Sequence, residues 1–324
     1  MGRIDARTKE YMKNPSNFAA LFNFLMYDGK PVIDPEKLTR LDTAEGTIID
    51  QNGLKVPVQK YRDSLEAWSI MEDDNLVYVL LAEEFQSEVH YAGPVKDMIY
   101  DSINYVDQVN EIKRKYMKTN AQSEISFEND GVKIHMTRAE FLSGLRKGDK
   151  LKPVVTLMIY LGTEEWDGPR TLHDMLYFPD ERIKAFVPDY KLNLIVPREL
   201  KDEDFPKFGT NVGSLLWILN RGKAGVADLL NDPQFRSIDG ETACLANDLA
   251  GLNLNIVIDE GGKANMCKAM EDHDIQTGIK FARDFFGDND EKIIQYVAHI
   301  LSADPEYVRN IMVHDDVSTE ATAS

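Results

Sequence analysis

The sequence predicts a mixed α/β domain followed by an all-helical region, and three patterns support this prediction. Two apolar runs, Pro153–Tyr160 and Leu192–Val196, are continuous enough to be buried strands. Two shorter runs after Tyr61 are separated by turn residues, which favours a hairpin. Beyond residue 210 the apolar residues recur with helical spacing. With 324 residues, of which 43% are hydrophobic, the chain is long enough for two domains with cores of their own.

The first elements are a helix and a hairpin. Apolar residues three and four positions apart predict a helix over Thr8–Tyr27, and Asn14-Pro15 is the place where it can break. The hairpin strands are predicted at Ser64–Ile70 and Leu76–Glu83. The first of these strands is ambiguous, because Asp63–Trp68 also reads as a helix start.

The next elements complete the α/β region and open the helical one. A long helix is predicted from Pro94 to about Lys118, because proline is favoured in the first helical turn. Thr137–Glu140 matches a capping box before a short helix. The two buried strands follow. Later helices are expected at Ser214–Asn220, Thr242–Leu252, Gln276–Phe286 and Glu291–Leu301.

A change of charge near Pro197–Phe208 marks the expected domain boundary. Residues 1–200 carry 33 acidic and 26 basic side chains, whereas residues 201–324 carry 22 and 11. We therefore expect a domain at 1–200, an acidic helical region at 201–316 and a disordered tail at 317–324. The acidic helices are a candidate surface for a protein partner, and a second copy of the chain is another candidate partner.

Composition also excludes several classes of protein. Two cysteines, Cys244 and Cys267, are too few for a disulfide framework or a cysteine-rich zinc site, which favours a cytoplasmic location. No apolar run approaches the length of a membrane span. The net charge of −18 argues against a protein that binds nucleic acid over its whole surface, so any DNA contact requires a local concentration of lysine and arginine.

Two carboxylates are candidates for a metal site. If the hairpin forms, Asp63 at the start of one strand and Glu84 at the end of the next can converge at one edge of the sheet. Mg²⁺ is held by one or two carboxylates with water and phosphate oxygens, and Mn²⁺ is an alternative. Gln86 falls on the same strand face as Glu84 and is suited to orient a water molecule. On spacing alone, a turn residue and a solvent-exposed strand end are the stronger interpretation.

Three ordered blocks of sequence carry a family resemblance. The first combines Lys60–Asp63, Tyr78–Ser87 and Lys96–Tyr100; the second combines Lys152–Gly162 with Trp166 and Leu172–Leu176; the third is Phe186–Tyr190. Together they resemble the recombination-promoting nuclease family, whose members are also described as YhgA-like transposases, of the PD-(D/E)xK nuclease superfamily. The resemblance covers residues 5–200. It implies a restriction-endonuclease-like mixed sheet flanked by helices, and metal-dependent hydrolysis of DNA.

The resemblance also implies roles for particular residues. It places the metal-binding carboxylates at Asp63 and Glu84, and the active-site amide at Gln86. Lys96 stands where the family has an arginine, which keeps the charge but loses bidentate phosphate recognition. The acidic residue of the first helix that assists the metal is Glu10 or Asp5.

Two departures from the family pattern leave a second interpretation open. Phe85 and Leu161 stand at positions where the family often has histidine. A member that has lost catalysis and acts as a binding or regulatory module is therefore one alternative, and a purely structural acidic protein is another.

Two basic runs are the candidate contacts to the DNA backbone. Their cations are Lys113, Arg114, Lys115, Lys118, Arg146 and Lys147. We expect both runs to lie around the same cleft as the carboxylates. The alternative for the first run is a solvated helix end, where cations interact favourably with the helix dipole.

Overall fold

The computed structural model describes the backbone of residues 3–40, 44–51, 54–61, 64–72, 75–121, 137–162 and 164–322. The chain forms two compact units, one of Met12–Leu200 and one of Met1–Tyr11 with Lys201–Ser324. The division at Leu200 falls within the stretch where the charge changes. The first eleven residues differ from the expectation of a 1–200 domain, because they belong to the helical unit.

The N-terminal helix shows why these residues join the helical unit. Helix α1 spans Arg3–Met12. The Tyr11 hydroxyl lies 2.9 Å from Thr242 Oγ1 in a buried hydrogen bond, and Arg7 forms an ion pair with Asp248. These partners are about 230 to 240 positions away in the sequence, so local periodicity contains no sign of them.

The α/β unit is built on one five-stranded sheet. Its helices are α2 (Pro15–Tyr27), α3 (Gly93–Ala121), α4 (Arg138–Ser143) and α5 (Glu181–Lys184). Its strands are β1 (Leu38–Arg40), β2 (Ala44–Gln51), β3 (Leu54–Tyr61), β4 (Ser64–Glu72), β5 (Asn75–Gln86), β6 (Val154–Tyr160) and β7 (Asn193–Ile195). The sheet has the order β1-β4-β5-β6-β7, and β2 pairs with β3 in a separate ribbon. Neighbours are antiparallel from β1 to β5 and parallel from β5 to β7.

The break predicted at Asn14-Pro15 separates α1 from α2. Asn14 is extended, its side chain accepts a hydrogen bond from the Ser16 N–H, and Pro15 occupies the first turn of α2. Proline suits this position because an N–H in the first turn has no partner within the helix. The helix buries Phe18 and Phe22, whose rings lie 4.9 Å apart, in the core.

Helix α3 lies against β6 and runs antiparallel to it, because it connects two parallel strands. The Asp101 carboxylate accepts hydrogen bonds from Thr156 Oγ1 at 2.5 Å and from the Tyr190 hydroxyl at 2.7 Å. Further along, Gln108 exchanges two hydrogen bonds with the backbone of Lys152. These contacts fix the helix against the first half of the strand, up to Thr156.

The second unit is helical with one small ribbon. Its helices besides α1 are α6 (Asn211–Leu229), α7 (Gly240–Ala250), α8 (Met266–Phe286), α9 (Asp290–Leu301) and α10 (Pro305–Thr322). Three of the four predicted helices fall within α6, α8 and α9, and the fourth coincides with α7 but was expected to reach Leu252, whereas α7 ends at Ala250 before Gly251 in the left-handed conformation. Strands β8 (Ile238–Asp239) and β9 (Lys263–Ala264) pair as a short ribbon that the sequence did not predict. Helix α10 continues to Thr322, past the expected start of the tail. None of the described helices has the length and apolar character to cross a membrane.

Candidate functional site

The carboxyl ends of β5 and β6 form the candidate site of the α/β unit. Glu84 pairs with Met158 and Gln86 pairs with Tyr160 in the parallel ladder. The Leu161 N–H extends this ladder by donating to the Gln86 carbonyl at 2.8 Å. The carboxyl ends of neighbouring parallel strands are where open α/β sheets commonly bind ligands.

The hairpin places the start of β4 beside the carboxyl end of β5. Ser64 pairs with Glu83, so the residue that follows Asp63 in the sequence pairs with the residue that precedes Glu84. The predicted hairpin is confirmed, and the segment that also read as a helix start is a strand. Asp63 itself lies outside the described residues. For Glu84 the structure describes the backbone position alone.

An apolar cluster packs at the carboxyl end of β6. The Tyr160 ring meets Trp166 edge to face, with centroids 5.3 Å apart, and both side chains are buried with Met158 and Leu192. Burial is the main cause that raises the pKa of Tyr160. Leu161, which stands where the family often has histidine, is only 7% exposed, so this position contributes to the core.

Lys96 lies near the beginning of α3 and next to a buried acid. Its Nζ is 5.7 Å from the ring centroid of Tyr100, at the geometry of a cation–π contact. Asp97 is only 1% exposed. Nothing in the sequence spacing distinguishes Asp97 from an ordinary acid on a helix surface, so its burial could not be predicted.

The candidate first-helix ligand belongs to the other unit. Glu10 is exposed on α1, and α1 up to Tyr11 is part of the helical unit. For Asp5 the structure describes the helix backbone alone. The assignment of Glu10 or Asp5 as a metal ligand therefore stays a prediction.

The structure brings the two basic runs together. The Arg146 guanidinium lies over the Tyr116 ring, 4.4 Å from its centroid, and the Tyr116 hydroxyl donates to Asp149 at 2.8 Å. The Lys113 stem packs against Gly144, where an added Cβ would lie 2.2 Å from the Lys113 Cγ. We call the surface formed by residues 111–116 and 137–152 the basic end of α3. Arg114, Lys115 and Lys147 are exposed there, and the Lys118 side chain lies outside the described part.

We call the carboxyl ends of β5 and β6, with the start of β4, the carboxylate edge. The basic end of α3 lies away from this edge, which corrects the expectation that the basic runs and the carboxylates share one cleft. The Tyr105 hydroxyl accepts a hydrogen bond from the Val154 N–H, at the first residue of β6. Lys113 is two further turns along α3, beyond that end of the sheet. At 1.5 Å per residue, Lys96 and Lys113 are about 26 Å apart along the helix axis. The charges in the sequence predict that this surface is positive, but they do not predict at which end of the sheet it lies.

An open cavity of about 590 Å³ adjoins the loop between β5 and α3. It is lined by Tyr91, Asp167, Gly168, Pro169, Arg170, Asp174 and Met175. The Tyr91 hydroxyl donates to Asp167 at 2.9 Å, and this bond raises the pKa of Tyr91. Two backbone N–H groups, of Arg170 and Thr171, donate to Asp174 and lower its pKa. Both carboxylates that line the cavity therefore already accept hydrogen bonds from the protein.

No three histidine, cysteine, aspartate or glutamate side chains come together as a metal-binding group among the residues that the structure describes. Asp63 and the Glu84 carboxylate lie outside the described part of the chain. No family model matches the chain, and no curated protein or solved structure matches it either.

Proposed function

We propose that the protein is a metal-dependent DNA endonuclease that acts at the carboxyl end of β5, of the recombination-promoting or transposase-like type. The observation that carries the proposal is the hairpin register, in which Ser64 pairs with Glu83. In this register the residue after Asp63 and the residue before Glu84 are paired, at the open end of the hairpin. The order of hairpin, connecting helix and parallel strand supports the finer proposal of a restriction-endonuclease-like sheet.

The candidate donors suit a hard divalent cation. Asp63, Glu84 and Gln86 offer only oxygen ligands of the kind that Mg²⁺ and Mn²⁺ prefer, with neither thiolate nor imidazole among them. Asp63 and Glu84 would hold the ion, which when bound supplies an acidified water and neutralises charge on the phosphate. Strand β5 ends at Gln86, two residues after Glu84, so a phosphodiester would reach the ion from beyond the end of the strand.

The remaining residues act on the water and on the phosphate. The Gln86 amide, two residues after Glu84, would orient the attacking water. The water loses a proton to solvent as its oxygen bonds to phosphorus, the P–O bond to the leaving nucleoside breaks, and the leaving oxygen takes up a proton from solvent. Lys96 lies at the start of the helix that follows this edge, where its charge offsets the charge of the phosphate.

A cleavage assay with matched variants tests the proposal. Purified protein is incubated with supercoiled plasmid and Mg²⁺ or Mn²⁺, beside Asp63→Ala, Glu84→Ala and Glu83→Ala. Glu83→Ala removes the same charge one position earlier in β5. We expect nicking by the wild type and by Glu83→Ala, and a loss of at least about a hundredfold in the other two variants. Nicking that survives both substitutions would rule out this site.

A binding module without catalysis is the second candidate function. The observation in its favour is the separation between the carboxylate edge and the basic end of α3, since binding there needs no contact with the edge. Buried Leu161 points the same way, because a side chain in the core cannot act on a substrate. DNA binding by a wild-type protein that cuts no substrate with either metal would favour this candidate.

A further inference from the structure

We propose that the basic end of α3 binds the backbone of a nucleic-acid duplex at a distance from the carboxylate edge, so that a substrate must span both. The inference rests on the proposed function, since it assigns cleavage to the β5 edge. It adds a substrate class, an extended duplex, and a minimum length.

Charge is the first argument. Residues 111–116 and 137–152 contain eight lysines and arginines against three carboxylates, in a chain whose net charge is −18. Two of those carboxylates already accept hydrogen bonds inside the surface. Glu140 accepts from the Thr137 and Lys147 N–H groups, and Asp149 accepts from Tyr116 and from the Arg146 N–H. A concentrated positive surface on an acidic protein confines polyanion binding to one face.

Rigidity is the second argument. Two of the cations serve as supports: Arg146 lies on the Tyr116 ring and the Lys113 stem lies against Gly144. A capping box closes the start of α4, with both of its reciprocal bonds present. The loop that carries Lys147 and Lys150 is therefore fixed to α3 before any ligand binds. Prior fixation lowers the entropy lost on binding.

Distance is the third argument, and it selects the duplex. The separation of about 26 Å between Lys96 and Lys113 corresponds to about seven or eight base pairs at 3.4 Å per pair. A duplex is stiff over this length, because its persistence length is about 150 base pairs. A duplex bound at the basic end of α3 therefore has a defined position near Lys96 at the other end of the helix, whereas a flexible single strand does not.

The test measures binding without metal, so it does not depend on catalysis. Fluorescent duplexes of about 6 and about 18 base pairs are titrated in EDTA over a range of salt concentrations. The variant is Arg114→Gln, Lys147→Gln and Lys150→Gln together, at three exposed positions of the basic end. The control is Lys223→Gln, Lys280→Gln and Lys292→Gln, which removes the same charge from exposed positions of the helical unit. Thermal unfolding checks that both proteins are folded.

We expect the wild type and the control to bind the longer duplex at least about tenfold more tightly than the shorter one. In the variant, the negative slope of log affinity against log salt should become shallower by about 2.7, since each of the three lost phosphate contacts removes about 0.9. An unchanged slope, equal affinity for the two lengths, or equal affinity for single strands of the longer length would overturn the inference. If binding follows these expectations but the protein cuts no plasmid, the endonuclease proposal is rejected, whereas the assignment of the basic end of α3 as a duplex-binding surface stands.

Discussion

Arg146 lies over the ring of Tyr116, with its Cζ 4.4 Å from the ring centroid, and this contact joins two basic segments that are distant in the sequence. The arrangement turns a helix end and a loop into one surface. Some cations of this surface pack against neighbouring residues and support it, whereas the others face solvent.

Replacing Arg146 tests its supporting role. Arg146→Gln removes a cation–π contact of about 0.5–1 kcal/mol, so the loop should open more often. The backbone amide of residue 146 donates to Asp149 at 2.7 Å, and we expect its hydrogen-exchange protection factor to fall by about two- to fivefold in the variant. Lys147→Gln at the next, exposed position is the control and should leave protection unchanged. Equal protection in both variants would show that Arg146 does not hold the loop.

Gly144 should tolerate no side chain. It ends α4 with φ +74°, a conformation that costs other residues about 1–2 kcal/mol, and the Lys113 stem occupies the space of a Cβ. Gly144→Ala should therefore lower the free energy of unfolding by at least about 1 kcal/mol in urea titrations. Gly148→Ala is matched, because no atom lies within 4 Å of its Cβ position, and should change stability by less than about 0.5 kcal/mol. Equal effects would contradict the packing described.

Asp101 should be the principal polar anchor of α3. Its carboxylate accepts from two hydroxyls, of Thr156 on β6 and of Tyr190 before β7, and Thr156 is 2% exposed. Asp101→Ala leaves both donors without this acceptor, at a cost of about 2–3 kcal/mol in unfolding free energy. Glu111→Ala, at an exposed position of the same helix, should cost less than about 0.5 kcal/mol. A small effect at Asp101 would mean that water replaces the carboxylate.

Stability should depend on pH through Glu140. Hydrogen bonds from the Thr137 and Lys147 N–H groups lower the pKa of Glu140 in the folded protein. A lowered pKa means that the stabilisation is full above the unfolded value of about 4.3 and is lost as pH falls through the folded value. Glu140→Gln should therefore melt below the wild type at about pH 7, and the difference should shrink as the pH falls below about 4.3. A difference that stays constant between these conditions would contradict this role.

Much of the α/β unit could be predicted from local sequence. Asn14-Pro15 combines a capping side chain with a residue suited to the first helical turn, and it does separate α1 from α2. The Thr137–Glu140 capping box and the strand ending at Tyr160 were also confirmed. In each case the determinant lies within a few residues, so a single sequence contains it.

The β2–β3 ribbon was missed, although Asn52-Gly53 is a strong hairpin turn signal. Pro57 argues against a central strand because it lacks an N–H, and here it pairs with Ile48 in a ribbon of only two strands. The position of the basic runs was missed for a different reason. Their placement depends on the length of α3 and on its contact with β6, which charge along the chain does not reveal.

Binding of a divalent cation to the metal-free protein tests the assignment of Asp63 and Glu84 before any question of substrate arises. Isothermal titration with Mn²⁺ compares the wild type with Asp63→Asn, Glu84→Gln and the control Glu83→Gln. We expect one site in the wild type and the control, and affinity at least about tenfold weaker in each ligand variant. Mn²⁺ affinity that is the same in all four proteins would contradict a metal site at the end of β5.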